Sequence, residues 1–200
     1  RPQAGDEGAD MAISAKELPL GKVFTPDFRF TIPSFQRAYI WKTENILQKK
    51  SPATARRQAR LIRNRLETLD EEAWGLVADG DQELSLQILL AASVKHSRLL
   101  GDFMRDVVAG HLRRYEHTLS PADWEAFLAD CTQRDPTVAT WSASTRAKLL
   151  QVTLRILAEA RYVESTRCLR LTPPLLHPGV LRYLNSRSEG ATLAILELKP

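Results

Sequence analysis

The chain has only two cysteines, Cys131 and Cys168, and no apolar run long enough to span a bilayer. Two thiols cannot build the disulfide framework of small secreted domains, which excludes that class. The longest apolar stretch, residues 86–94, includes a glutamine and a serine, and residues 1–10 lack the apolar segment of a signal peptide. We therefore expect a cytoplasmic protein without membrane contact, in which both cysteines are ordinary buried side chains.

The sequence also lacks the local motifs of the common enzyme and metal-site classes. It contains no P-loop, no glycine-rich dinucleotide-binding pattern, no nucleophile elbow and no H-E-x-x-H helix. Its four histidines are scattered, and no two of them have the four-residue spacing of a helical zinc pair. The sequence therefore predicts a protein that is not an enzyme and has no cofactor and no metal.

Apolar periodicity predicts helices over most of the chain. Ser51 followed by Pro52 is a typical helix start, with serine as the N-cap and proline in the first turn. Apolar residues then recur every three or four positions, which predicts an amphipathic helix over 52–69. By the same criteria we expect helices at 71–77, 82–115 with a break near Ser97 or Gly101, 121–131, from Ser142 or Ser144 to 160, and 178–184.

The last forty residues have a different pattern. Residues 162–164 and 168–171 favour two short strands around a turn, and residues 191–198 favour a final extended run. This order is typical of a winged-helix module, so the predicted fold class is mainly α, with a helical N-terminal bundle and a winged-helix-like C-terminal part that carries a short β-hairpin. The predicted domains are a disordered tail at 1–22, an extended aromatic segment at 23–44, a helical basic domain at 45–118 and a winged-helix-like domain at 119–200.

Positive charge is concentrated on the first predicted helix. Residues 45–70 hold seven lysines and arginines against two carboxylates, and Arg56, Arg60 and Arg63 fall within about 60° of one another on a helical wheel. Guanidinium groups bind phosphates through paired hydrogen bonds, and a helix N-terminus favours anions. The candidate nucleic-acid-binding residues here are Lys49, Lys50, Ser51, Arg56, Arg57, Arg60 and Arg63. The alternative is a solvated face whose arginines pair with the acidic stretch at 71–83.

A second basic set lies in the C-terminal part of the chain. Arg146 and Lys148 are at the start of the helix that begins at Ser142 or Ser144, and Arg167 is in the predicted hairpin. In a winged helix the capped helix can enter a groove of the duplex while the hairpin contacts the backbone. These three residues are therefore the second candidate contact, although scattered surface charge would give the same pattern.

Four ordered segments resemble the BrxA family of BREX phage-defence systems over residues 45–198. They are NILQKKSPATARRQARLIRNRLETL, LLGDFMRDVV, WEAFLADC and TWSASTRAKLLQVTLRILAEARYVE. The resemblance implies a mostly helical cytoplasmic protein that binds double-stranded DNA with little sequence preference. It further implies that the protein acts together with other BREX proteins, among them the methyltransferase and the ATPase. The resemblance implies no enzymatic activity. The oligomeric state stays open.

A second resemblance covers residues 11–44. The segment IPSFQRAYIW at 32–41 is similar to the opening of the ParB-like N-terminal domain of GmrSD-type modification-dependent restriction enzymes. The later D-G-Q-Q-R-type motif of that domain has no match here, so nucleotide hydrolysis and DNA cleavage are not carried over. The alternatives to DNA binding are therefore a nucleotide-dependent restriction protein, a protein-only scaffold of a defence complex, and RNA binding by the same basic helices.

Overall fold

The computed structural model describes residues 51–198. The predicted tail at 1–22, the aromatic segment at 23–44, and Lys49 and Lys50 lie outside the described residues. Residues 51–198 are mainly helical, as the sequence predicts. In chain order the elements are α1 (Pro52–Leu66), α2 (Glu71–Asp79), α3 (Gln82–His96), α4 (Arg98–Asp102), a π-helical segment (Phe103–Val108), α5 (Ala109–Arg113), α6 (Pro121–Arg134), a 3-10 turn (Pro136–Thr140), α7 (Ala143–Glu159), α8 (Pro178–Ser186) and α9 (Gly190–Glu197).

Short polar side chains fix the start of the first three helices. Ser51 Oγ accepts a hydrogen bond from the Thr54 backbone N–H at 3.2 Å, which confirms the predicted N-cap. Asp70 accepts from Ala73 N–H at 3.0 Å and Asp81 accepts from Leu84 N–H at 2.8 Å, so α2 and α3 begin in the same way. Each cap provides a partner for one backbone donor that the helix itself leaves unpaired.

The long helical pattern over 82–115 breaks at Ser97, one of the two predicted positions. Ser97 has extended backbone angles, ends α3, and caps α4 through a 3.4 Å hydrogen bond from Leu100 N–H to its Oγ. Beyond α4 the chain continues as the π-helical segment, a form that occurs mostly as a single turn inside α-helices. Phe103 and Met104 of this segment are fully buried, which places the segment in the core.

Helix α3 is the central element of the core and contacts α1, α2, α8 and α9. Its residues Ile88, Leu90 and Ala91 are fully buried. Gln87 is also buried, where its side-chain amide donates to the Leu175 carbonyl at 3.0 Å and accepts from the His177 N–H at 2.7 Å. The amide therefore ties the segment before α8 to the middle of the core helix.

The predicted extended run at 191–198 is wrong, because those residues form helix α9. Thr192 and Leu196, four residues apart, are its buried positions, and the helix contacts α3 and the π-helical segment. Tyr162 is fully buried and its hydroxyl donates to the Leu196 carbonyl at 2.7 Å, so a side chain from the end of α7 anchors the end of α9. A short apolar run fits both periods, and here packing selects the helix.

The predicted hairpin region forms two isolated antiparallel bridges, Val163 with Leu171 and Thr118 with Arg170. Thr118 belongs to a third chain segment, the one between α5 and α6, which the sequence analysis did not place here. Leu119 N–H donates to the Leu169 carbonyl at 3.0 Å, and Leu171 N–H donates to the His117 carbonyl at 2.8 Å. Short backbone segments from three parts of the chain therefore lie side by side at this edge.

The two cysteines have different environments. Cys131 is buried as predicted, and burial raises the pKa of its thiol. Cys168 is exposed, so the prediction that it is buried is wrong. It lies in a tight turn, where its backbone N–H donates to Ser165 Oγ at 2.9 Å. Among residues 51–198, no helix combines the length and the apolar character that crossing a membrane requires.

Candidate nucleic-acid interface

Four arginines of α1 lie on its solvent side, namely Arg56, Arg57, Arg60 and Arg63. The opposite side of the helix packs inward through Ile62 and Leu66, which are 3% and 1% exposed. Because apolar and basic residues follow the same helical period with different phase, burying one set presents the other to solvent. The row predicted from the helical wheel is therefore present on the surface.

Two carboxylates of the acidic stretch at 71–83, Glu72 and Asp81, have partners away from α1. Arg187, just after α8, forms ion pairs with Asp70 at 2.7 Å and with Glu72 at 2.8 Å. Asp81 lies 3.4 Å from His177. On α1 itself, Arg63 pairs with Glu67 at 3.1 Å one turn further on. Neither Arg57 nor Arg60 has a hydrogen bond or ion pair with any residue in the described part of the chain.

The N-terminus of α1 adds to the positive character of this end. Its first turn contains no acidic residue, so no carboxylate of that turn offsets the partial positive charge of the helix dipole. The Ser51 hydroxyl is used within the helix, since it accepts from Thr54 N–H and donates to Thr54 Oγ1 at 3.2 Å. Ser51 therefore orients the helix start, and its hydroxyl is already engaged there.

Arg65 is one of the seven basic residues at 45–70, but it is buried, with only 1% of its surface exposed. Within the described residues none of its three guanidinium nitrogens has a hydrogen-bond partner. Burial lowers the pKa of Arg65 to about 10, so it stays protonated at neutral pH. His96 of α3 lies close enough for Arg65 to act on it: burial and then the Arg65 charge lower the pKa of His96. Arg65 is thus an interior charge and no part of the exposed row.

The second predicted set is placed on three local structures. Arg146 of α7 is partly buried and lies 3.6 Å from Glu125 of α6, while Lys148 is exposed and donates to Gln151 at 2.7 Å. Arg167 is exposed in the turn at 165–168, where its N–H donates to Ser165 Oγ at 3.3 Å.

A further arginine cluster surrounds Asp102, whose side chain is 6% exposed. Arg105 lies 2.8 Å from this carboxylate and Arg98 lies 3.6 Å from it. Arg134 reaches the same carboxylate from α6 at 3.4 Å and approaches Asp106 at 3.8 Å. The spacing of Arg98 and Arg105 from Asp102 is visible in the sequence, but the contribution of Arg134 comes only from the packing of α6.

The chain matches one protein family and is similar to several known proteins. The family model described as BrxA matches residues 34–188. Three proteins named BREX protein BrxA are similar to the chain. The one from Paramagnetospirillum magneticum AMB-1 is 34% identical over 95% of this chain and 96% of its own length. Those from Escherichia coli O9:H4 strain HS and Bacillus cereus strain H3081.97 are 36% and 32% identical over 78% and 77% of this chain, and over 73% and 78% of their own lengths.

A solved structure has the same fold. A crystal structure described as an uncharacterized protein from Magnetospirillum magneticum superposes with a TM-score of 0.81 at 31% sequence identity, covering 93% of this chain and 98% of that one. The family match begins at residue 34, upstream of Asn45, where the sequence analysis places the start of the resemblance. It therefore includes part of the aromatic segment.

Proposed function

Because the chain belongs to the BrxA family, we propose that it is a non-catalytic component of a BREX phage-defence system that binds double-stranded DNA with little sequence preference. The single observation that carries the DNA-binding part is the exposed arginine row of α1, Arg56, Arg57, Arg60 and Arg63. The names of the relatives support the defence-system part, and they give no catalytic activity.

The proposed mechanism is electrostatic. Guanidinium groups present a planar set of N–H donors that matches two phosphate oxygens at once. Side chains at 56, 60 and 63 rise along one face of α1 by about 1.5 Å per residue, so they can meet successive phosphates of one backbone strand. Each neutralised phosphate releases counterions, which makes the affinity dependent on salt and largely independent of base sequence.

The second set, Arg146, Lys148 and Arg167, is proposed as an additional backbone contact within a winged-helix-like C-terminal part at 119–200. Two features favour this arrangement. Helix α7 begins at a serine cap, since Ser142 Oγ accepts from Thr145 N–H at 3.2 Å. The loop that follows α7 folds back on itself, with Glu164 N–H donating to the Arg170 carbonyl at 2.9 Å. In this proposal α7 approaches a groove and the loop touches the backbone.

The proposed protein partners are the other BREX proteins, including the methyltransferase and the ATPase. A DNA-bound subunit without catalytic residues can bring such enzymes to the duplex, which is the role that we assign to this chain. The helical faces away from α1 would then serve for protein contact. A complex that assembles normally while the purified chain binds no DNA would favour the scaffold alternative instead.

A pair of matched variants tests the DNA contact. Arg60→Glu and Arg182→Glu each change the net charge by the same amount at an exposed helical arginine, the first on α1 and the second on α8. We expect Arg60→Glu to weaken binding to a random-sequence duplex by roughly tenfold at low salt, because it removes one phosphate contact and adds repulsion. Arg182→Glu should change the dissociation constant by less than about twofold, because a charge away from the DNA acts on the phosphates only over a long distance, where salt screens the interaction.

Fluorescence anisotropy with duplex DNA, single-stranded DNA and duplex RNA measures these affinities. Equal losses for the two variants would mean that only the overall charge matters and that α1 is not the contact. Tighter binding to duplex RNA than to duplex DNA would replace DNA by RNA in the proposal.

A further inference from the structure

Tyr115 and Leu175 are the large hydrophobic residues most exposed to solvent in the described part of the chain, and 86% of the surface of Tyr115 is accessible. It follows α5 directly, and two arginines precede it at 113 and 114. A single exposed tyrosine is common on protein surfaces and by itself indicates nothing. The backbone under this tyrosine is what makes it unusual.

Tyr115 lies at the position just after the end of a helix where glycine is the most common residue. Glu116 N–H donates to the His111 carbonyl at 2.9 Å and Tyr115 N–H donates to the Leu112 carbonyl at 3.0 Å, which together form a Schellman motif. In this motif the second-to-last residue takes a left-handed conformation, and Tyr115 has φ of 59°. That conformation is unfavourable for a bulky aromatic residue, and the exposed ring gains no packing in return.

The end of α7 repeats the arrangement with an arginine. Tyr162 N–H donates to the Leu157 carbonyl at 2.8 Å and Arg161 N–H donates to the Ala158 carbonyl at 3.1 Å. Arg161 has φ of 64° and its side chain is exposed. Two helices therefore end by presenting a large side chain at a position where glycine would be less strained.

The backbone pairing brings these two helix ends to the same edge. Thr118 bridges Arg170, and Val163 bridges Leu171, so the segment at 169–172 lies between the other two. Both outer segments run antiparallel to the central one. Tyr115 precedes the bridged residue Thr118 by three positions, and Arg161 precedes the bridged residue Val163 by two. They therefore flank the same end of the central segment, near Thr172, whose hydroxyl donates to the Arg161 carbonyl at 3.2 Å.

The turn that carries Tyr115 is held by side chains from two helices. His111 is buried, and its Nε2 lies 3.1 Å from the Asp123 carboxylate of α6. Its Nδ1 lies 3.3 Å from the Glu116 carboxylate, which also forms an ion pair with Arg114 at 2.9 Å. Tyr115 therefore lies on a turn that is held in place by contacts of the two residues on either side of it, Arg114 and Glu116, and by His111.

We propose that Tyr115 and Arg161 form a contact for an unpaired nucleotide, in which the phenol ring stacks on the base and the guanidinium binds the adjacent phosphate. Exposed aromatic rings beside cationic side chains are the usual means of binding single-stranded nucleic acid without base preference. The inference rests on the proposed function and adds a second mode of binding. The chain would hold a duplex through α1 and would prefer a duplex that contains an unpaired position near this edge.

The test compares a fully paired duplex with the same duplex carrying a short unpaired bubble that includes 2-aminopurine. The wild-type chain should bind the bubble about tenfold more tightly than the paired duplex, and the fluorescence of 2-aminopurine should change on binding through stacking. Tyr115→Gly should remove both the preference and the fluorescence change while raising the melting temperature, because glycine relieves the left-handed conformation. Tyr115→Phe keeps the ring and should behave like the wild-type chain.

The outcomes separate this inference from the proposed function. Arg60→Glu should weaken binding to both probes by the same factor and leave the bubble preference unchanged. A wild-type chain without any preference, or a Tyr115→Gly variant that keeps it, would overturn the inference while duplex binding stands. A Tyr115→Gly variant whose affinity falls by the same factor for the bubble and for the paired duplex would also contradict it, because the preference would then be retained. Absence of binding to both probes would overturn both proposals.

Discussion

Arg65 of α1 and His96 of α3 are neighbouring basic side chains, of which Arg65 is buried and His96 is half-buried. The guanidinium of Arg65 is fully buried, and none of the described residues gives it a hydrogen-bond partner. His96 Nδ1 is buried without a partner as well. An unpaired buried charge destabilises a fold, because neither water nor a carboxylate compensates for the lost hydration. The sequence counts Arg65 as one more cation of a basic helix, whereas the fold places it inside.

We predict that Arg65→Met increases stability. Methionine has a similar length without the charge, so the unfolding free energy should rise by about 1–3 kcal/mol. Chemical denaturation monitored by circular dichroism measures this difference. Arg63→Met on the exposed face is the control and should change stability by no more than about 0.5 kcal/mol, because its ion pair with Glu67 is a surface pair. A loss of stability in Arg65→Met would mean that the charge has a partner.

Arg65→Met should also change the pKa of His96. Burial and then the neighbouring Arg65 charge hold the pKa of His96 below its ordinary value of 6.5, so this histidine stays neutral to a lower pH in the folded state than in the unfolded chain. The unfolded chain takes up the proton more readily, and stability therefore decreases as the pH falls below about 6.5. In Arg65→Met the pKa of His96 should move up toward its ordinary value, and the acid-side loss should become smaller. NMR titration of the His96 ring protons measures the pKa directly, and an unchanged value would show that Arg65 has no influence on it.

At the scale of elements, the Asp102 cluster holds the π-helical segment against α6. Asp102 is at the end of α4, immediately before that segment, and its buried carboxylate lies within ion-pair distance of Arg105 and Arg134. Phe103, the next residue, packs edge-on against Trp124 and Phe127 of α6 with ring centroids 5.4 and 5.3 Å apart. One carboxylate thus fixes the chain where its helical geometry changes.

We predict that Asp102→Asn destabilises the fold by about 3 kcal/mol, because it removes the buried carboxylate that Arg98, Arg105 and Arg134 share. The loss lies at the low end for a buried pair, since these guanidinium groups are partly exposed and Arg105 keeps its ion pair with Asp106 at 2.8 Å. The paired control is Asp106→Asn, which neutralises an exposed carboxylate four residues further on and should cost about 1 kcal/mol or less. Thermal unfolding of the two variants measures the difference. Similar melting temperatures would show that the cluster is only a surface network.

The elements differ in how far the sequence determines them. The first helix, its serine cap and the break at Ser97 follow from local signals that act within one turn of helix. Helix α9 was predicted as extended because its apolar residues are nearly continuous, and only the packing of Thr192 and Leu196 against the rest of the core settles the period. The bridge between Thr118 and Arg170 joins residues far apart in the chain, which no local pattern can predict.

At the scale of the whole molecule, the distribution of charge matters more than its sum. The net charge is only +4, yet four arginines lie on the solvent side of α1, while Asp70 and Glu72, which follow α1, pair with Arg187. The sequence predicts the row, because helical phase alone decides which arginines share a face. It does not predict the loss of Arg65 from the surface or the presentation of Tyr115, since both depend on how helices pack and end.

The salt dependence of duplex binding tests the central claim most directly. If Arg56, Arg60 and Arg63 each neutralise a phosphate, replacing all three by glutamate should reduce the slope of log affinity against log salt concentration by about 3, at roughly 0.9 per phosphate. The wild-type chain should therefore show a slope steeper than about −3 on a random-sequence duplex, and the triple variant a much shallower one. A wild-type slope near zero, or equal slopes for the two proteins, would contradict the account.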